Sequence, residues 1–186
     1  MGGSCLTAAL PEKVYRVTRS DYARTADDAL SGVGGLFDEG RWHSKGRKIV
    51  YTSESSTLCL VERLVHADEW IAERHPDRVM LTIIVPPVSW VAVTSEDLSA
   101  HDPGWRAEGN LLCRRLGDAW LTRQGSCALL VPSAVNPADH NILFNPLHPE
   151  FPDVTAANAA LKIDSLEPDE RIVQLASAYR DSLASR

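Results

Sequence analysis

Two apolar runs, CALLVPSAV (127–135) and HNILFNP (140–146), stand only a few residues apart with a turn around Pro137 between them. A parallel pair of strands needs a crossover of a dozen or more residues, so strands this close in sequence pair as antiparallel neighbours. DRVMLTIIVPP (77–87), rich in β-branched residues and ended by two prolines, is followed by SWVAVTS (89–95) after an equally short connection. Helical segments interrupt the strands elsewhere. The pattern predicts an α+β fold whose sheet is mainly antiparallel.

The remaining elements follow from periodicity. VYRVTR (14–19) alternates, with Val14, Arg16 and Thr18 on one face and Tyr15 and Val17 on the other, as in a half-buried strand. SDYARTADDAL (20–30) reads as a short helix capped by Ser20 and closed by the glycines of SGVGG. RKIVYT (47–52) is the next strand. STLCLVERLVHADEW (56–70) is a helix with Leu58, Val61, Leu64 and Val65 as its apolar stripe, Ser55 or Ser56 as its cap, and Glu62 at the border of the stripe. NLLCRRLGDAWLTRQGS (110–126) has Leu112, Leu116, Ala119 and Trp120 at helical spacing, with Gly125 as terminator. The tail from residue 166 to 186 carries an amphipathic helix through Ile172, Leu175, Ala176, Tyr179 and Leu183. That stripe suits intramolecular core or the interface of a homo-oligomer or partner.

At 186 residues the chain fits one domain, and no apolar run approaches the ~20 residues of a membrane span. The N-terminus MGGSCLTAAL lacks a basic leader region, and Leu6 stands where myristoylation requires Ser or Thr, so a cytoplasmic location is expected. Cys5, Cys59, Cys113 and Cys127 show no paired spacing and are expected as reduced thiols. The six histidines have no metal-binding spacing either, so no metal is expected. A net charge of -6 argues against a nucleic-acid partner and leaves the local cluster Arg41, Lys45, Arg47 and Lys48, within DEGRWHSKGRKIVYTSES (38–55), suited to a small anion.

Four positions carry candidate chemistry. Arg41, between Gly40 and Trp42, offers the forked donors that suit phosphate, although charge alone is equally served by a solvated loop. Tyr51 is core by pattern, or the wall against which a flat ligand stacks. Glu62, beside an apolar stripe, must pair with an arginine or face a cleft. Ser133 either caps a turn or points into a site, and no GxSxG surrounds it.

Read in order, VYRV, GRW, IVYTSES, CLVERLVH, LGDAWL, LLVPSAVNPADHNILFNPLHP and Phe151 resemble the RES domain over residues 14–165, after an N-terminal extension of residues 1–13. The resemblance implies a curved, split, mainly antiparallel sheet with flanking helices, similar to diphtheria-toxin-like ADP-ribosyltransferases. It implies NAD as co-substrate, a toxin role beside an Xre-like antitoxin, and transfer of ADP-ribose to water, phosphate or a protein. A non-catalytic nucleotide-binding or protein-interaction module on the same fold is the alternative. By position, the family's conserved arginines match Arg16 and Arg41, its tyrosine Tyr51, its glutamate Glu62 and its serine Ser133. The implied roles are diphosphate binding for Arg16 and Arg41, stacking on nicotinamide for Tyr51, stabilisation of the developing cation for Glu62, and orientation of Glu62 or the ribose by Ser133. The departure is LKIDSLEPDER (161–171), which stands where a phenylalanine-rich last strand is usual.

Overall fold

The computed structural model describes residues 9–65 and 78–166, with 169–171, 173–174 and 178 beyond them. The C-terminal amphipathic helix and the later part of the helix expected over 56–70 lie outside the described residues. Strands are β1 (Lys13–Arg19), β2 (Val50–Ser53), β3 (Arg78–Ile84), β4 (Trp90–Ala92), β5 (Ala128–Pro132), β6 (His140–Phe144) and β7 (Lys162–Ser165). Helices are α1 (Ala26–Leu30), α2 (Ser56–Val65), α3 (Ser95–His101), α4 (Leu111–Arg123) and α5 (Phe151–Ala157).

The strands form one α+β sheet in the order β4-β5-β6-β2-β1-β3-β7. β5 and β6 pair antiparallel from Ala128↔Phe144 to Pro132↔His140, as their short connection requires. The short connection between β3 and β4 does not make a pair. After Pro86 and Pro87 the chain leaves the β3 edge, and β4 joins β5 in the sheet's one parallel pairing. β7, exposed throughout, extends the other edge by pairing antiparallel with β3.

β1 and β3 pair along seven residues, whereas β1 and β2 share the single register pair Tyr15↔Ser53. The sheet is therefore split between its two central strands. Across the split, Arg16 Nη1 donates to the Tyr51 carbonyl at 3.0 Å, a side chain standing where a ladder bond would otherwise run.

Both sheet faces are covered. Val14, Leu81, Ile83, Val50, Ile142 and Phe144 pack with Leu30 of α1 and Phe151 and Val154 of α5. Ile49, Leu129, Val131 and Leu143 pack on the opposite face with Trp42, Leu98 of α3, and Cys113, Trp120 and Leu121 of α4. Cys59 of α2 closes a smaller cluster over Val17 and Met80, so β1 is buried on both faces rather than half-buried. Each fully buried aliphatic or aromatic side chain contributes roughly 1.5–3 kcal/mol, so these layers hold the sheet edges at the split in place.

Local corrections have identifiable causes. The segment 20–30 is not one helix: a 3₁₀ turn over Ser20–Tyr22 precedes α1, whose cap is Thr25, accepting from Asp28 N at 3.1 Å. The strand in RKIVYT starts only at Val50, because Arg47 and Ile49 still bond back to the loop at Gly35 and Gly32. In α4 the buried face is Cys113, Gly117, Trp120 and Leu121, with Leu116 exposed, and the left-handed terminator is Gln124 at φ 50°, not Gly125.

Candidate active site

α2 is capped by Ser55, whose Oγ accepts from Leu58 N at 3.1 Å, and is anchored by buried Leu58 and Cys59. Glu62, one turn further along that helical face, reaches the ends of β5 and β6. Its Oε1 accepts two hydrogen bonds of 2.7 Å, from Ser133 Oγ and from Asn141 Nδ2. Asn141 Oδ1 in turn accepts from Ser53 Oγ at 2.7 Å. Glu62 Oε2 has no hydrogen-bond partner among the described residues.

Ser133, fully buried just after β5, combines the turn role and the site role. Its Oγ accepts from Val135 N and Asn136 N, each at 3.0 Å, while its one proton goes to Glu62. A hydroxyl has one donor and two acceptor sites, so all are used and the orientation is fixed.

Arg16 lies beside this carboxylate's helix at the sheet split. The residue as a whole is half-buried, but its Nε is fully covered and has no partner among the described residues. Burial lowers the guanidinium from its ordinary value, Cys59 opposes that and Arg63 adds to it, yet an arginine stays charged. A permanent cation held beside the split suits an anionic ligand.

Tyr51 extends from β2 on the same face as Ser53. Its hydroxyl accepts from Trp42 N at 3.2 Å and lies 2.8 Å from His43 Nδ1. His43 Nε2 is 3.1 Å from the Asp38 carbonyl, which only accepts, so the ring proton sits on Nε2 and the Tyr51 O–H donates to Nδ1. Burial raises the Tyr51 phenol well above its ordinary range, so it stays protonated. The phenol is thereby committed to the loop, and the ring is what remains for a ligand.

Arg41 is committed as well. Nη1 donates to the carbonyls of Trp105 at 2.9 Å and Ala107 at 3.1 Å, and Nη2 to that of Arg106 at 3.0 Å. Arg106 then donates from Nε to Ala134 O at 2.9 Å and from Nη2 to Val135 O at 3.3 Å, beside Ser133. Arg41 thus braces the turn that holds Glu62. Of the other charges in its cluster, Arg47 pairs with Asp118 at 3.1 Å. Lys45, Arg47 and Lys48 line a separate cavity of about 470 Å³ with Leu36 and Leu121, bordered by none of Arg16, Tyr51, Glu62 or Ser133.

The structure therefore brings Glu62 and Ser133 into direct contact, links Arg16 to Tyr51 through the main chain, and connects Arg41 to Ser133 through Arg106. Asn141, Ser53, His43 and Arg106 are site residues that sequence reasoning missed. Only the β2–β6 register Ser53↔Asn141 reveals the first two. Away from the site, Cys127, His148 and Glu150 place ligand-type atoms within 4.8 Å of one another, an arrangement that sequence spacing did not show. His148 Nδ1 there accepts from Glu150 N, which leaves the proton on Nε2, and Glu150 Oε2 accepts from Ser89 N and Oγ. These bonds tie the turn before α5 to Ser89, while Glu150, at the N-cap position of α5, makes no side-chain cap bond to the helix.

Comparison with known proteins gives this geometry a context. A family model described as the RES domain matches residues 13–166. The chain belongs to the RES domain family. Within the RES domain lie all five expected site residues and the four that were missed. A Toxin Res of Pseudomonas putida is 38% identical over 143 residues, covering 77% of this chain and 92% of that protein. A Prs ADP-ribosylating toxin of a Sphingobium species is 31% identical over 143 residues, 76% of this chain and 87% of that one. The crystal structure of the M. tuberculosis MbcT–MbcA toxin–antitoxin complex contains a chain with a TM-score of 0.58 at 19% identity, covering 90% of this chain and 89% of that chain. At that identity the likeness is one of fold. No helix among the described residues is long and apolar enough to cross a membrane.

Proposed function

We propose that this RES domain is the toxin of a toxin–antitoxin pair, and that it breaks the nicotinamide–ribose bond of NAD and passes ADP-ribose to an acceptor. The observation that carries the reading is the carboxylate of Glu62, held through Oε1 by two neutral donors, with no partner for Oε2 among the described residues. The names of the Pseudomonas and Sphingobium relatives support the same class.

Nicotinamide in NAD is already cationic. When its bond to the ribose carbon breaks, the electron pair leaves with the ring, which departs neutral and needs no proton. Positive charge develops on the ribose, as in glycoside hydrolysis, and one aligned carboxylate stabilises it. The acceptor then bonds to that carbon and gives up its proton. Glu62 Oε2 serves the cation, the Arg16 guanidinium charge the diphosphate, and the Tyr51 ring the nicotinamide face. Arg41 keeps the 105–107 loop and the Ser133 turn in register, and the donors it does not spend there add to the positive field.

The relative named as ADP-ribosylating favours a protein side chain as acceptor over water or phosphate. A cognate antitoxin, in this reading, neutralises by covering Glu62. The test is NAD labelled in its adenylate half, incubated with the purified chain and a cell lysate. Free nicotinamide together with a labelled protein band is expected. Nicotinamide with only small labelled products would replace the protein acceptor by water or phosphate. No nicotinamide at all would overturn the reading and leave a binding module.

A further inference from the structure

We propose that Asn141, anchored by Ser53, is a positioning residue that fixes which oxygen of Glu62 meets the substrate. The inference deepens the NAD-cleaving reading and rests on it for its kinetic consequences. Its geometry stands separately, on three hydrogen bonds of 2.7 Å that join Ser53, Asn141, Glu62 and Ser133.

The polarity of this relay is forced. An ionised carboxylate only accepts, so Asn141 must turn Nδ2 toward Glu62 and Oδ1 toward Ser53. Oδ1 only accepts, so the Ser53 hydroxyl must donate to it. Ser53 is buried at 4% exposure, which holds the hydroxyl in this one arrangement. Ser133 approaches the same oxygen from the other strand end, its proton likewise committed to Oε1 by the two backbone N–H groups it accepts.

Two donors from two strands therefore fix Oε1 as an acceptor. A proton arriving at Glu62 would have to displace one of them to settle there. Oε2 is left as the oxygen that faces the ribosyl cation, and as the one that takes the acceptor's proton after nicotinamide has gone. Ser133 alone fixes a distance; Ser133 with Asn141 fixes the plane of the carboxylate, and alignment of that kind is where positioning residues act on turnover.

The experiment compares Asn141→Ala, Asn141→Asp and Ser53→Ala with the wild-type chain for nicotinamide release across pH. In the same samples the side-chain carboxyl carbon of isotopically labelled Glu62 is followed by NMR. For Asn141→Ala we expect kcat to fall roughly ten- to hundredfold, the loss of a hydrogen bond to a charged group, with KM for NAD changed by less than about twofold. Ser53→Ala, which keeps Asn141 but frees its amide, is expected to fall in the same direction by a smaller factor. Asn141→Asp sets a second carboxylate against Oε1, and the acidic limb of its pH–rate profile should move to higher pH. The titratable and charged groups around the relay among the described residues, His140 Nδ1 with Glu54 Oε2 at 3.5 Å and Arg16, Arg63 and Cys59 beside α2, are the same in every variant. A merely structural Asn141 would lower stability without moving that limb. Turnover within twofold of wild type in Asn141→Ala, together with an unmoved profile in Asn141→Asp, would overturn the proposal. If the wild-type chain releases no nicotinamide, the functional reading fails, and the relay is then judged by NMR alone: an upward move of the Glu62 titration in Asn141→Asp supports it, and no move rejects it.

Discussion

At the scale of single residues, the loop before β2 is shaped by what does not fit. A Cβ on Gly40 would stand 2.7 Å from the Tyr51 hydroxyl and 2.8 Å from the His43 ring, so the loop closes on Tyr51 only with glycine there. Gly40→Ala is expected to cost about 1–3 kcal/mol, the usual penalty for overpacking, read from urea unfolding; a variant as stable as wild type would show that the loop yields freely. His43 adds a pH dependence. Burial holds its ring below the ordinary value, against smaller raising effects of the Asp38 carbonyl and of Asp118. Between the folded value and the unfolded value of about 6.5, the unfolded chain binds more protons, so stability rises with pH across that window. The contribution of neutral His43 is complete above about pH 6.5 and is lost as pH falls toward the folded value. Wild type should therefore lose stability more steeply than His43→Gln between about pH 7 and about pH 5. Parallel slopes would remove His43 from the account.

At the scale of elements, α4 shows how function depends on close approach. A Cβ at Gly117 would collide with the Trp42 carbonyl oxygen, so the helix packs directly on the Gly40–His43 loop. The next residue, Asp118, then accepts from Ser44 N at 2.9 Å and pairs with Arg47. Gly117→Ala is expected to lower stability by about 1–3 kcal/mol or more and to raise KM for NAD through displacement of the loop, measured by unfolding and by nicotinamide release. An unaffected KM would separate α4 from the site. This face was illegible in the sequence because helical periodicity weighs large apolar residues: it selected Leu116, which is exposed, and passed over Gly117, whose value is its lack of a side chain. α3 went unread for a related reason. It buries only Leu98 and is held by a Thr94–Asp97 capping box rather than by an apolar stripe. β5 and β6 were legible because their apolar runs are buried along most of their length, and β3 because its β-branched run carries the buried Met80, Leu81 and Ile83.

At the scale of the whole molecule, the sheet split between β1 and β2 organises the site. Arg16 bridges it from one side, Tyr51 and Ser53 project from the other, and α2 carries Glu62 to β5 and β6. Arg16, Arg41, Tyr51, Glu62 and Ser133 were singled out as candidates by the order of short motifs along the chain. Their division of labour was not, because it depends on contacts between residues 60 to 90 positions apart: Arg41 with 105–107, Glu62 with Ser133 and Asn141, and Ser53 with Asn141. The positive cluster that looked like a single anion site is divided for the same reason. Arg41 braces the Ser133 turn and Arg47 is neutralised by Asp118, while Arg16, outside the cluster, has an Nε without a partner among the described residues.

Glu62→Gln tests the central claim most directly, because the glutamine oxygen can take the place of Oε1 between Ser133 and Asn141, so that only Oε2 is exchanged, for an uncharged amide. Nicotinamide release should be measured beside NAD affinity and unfolding for the same sample. The account predicts release lower by roughly 10²–10³-fold, with affinity and stability close to wild type. Release at the wild-type rate would contradict it.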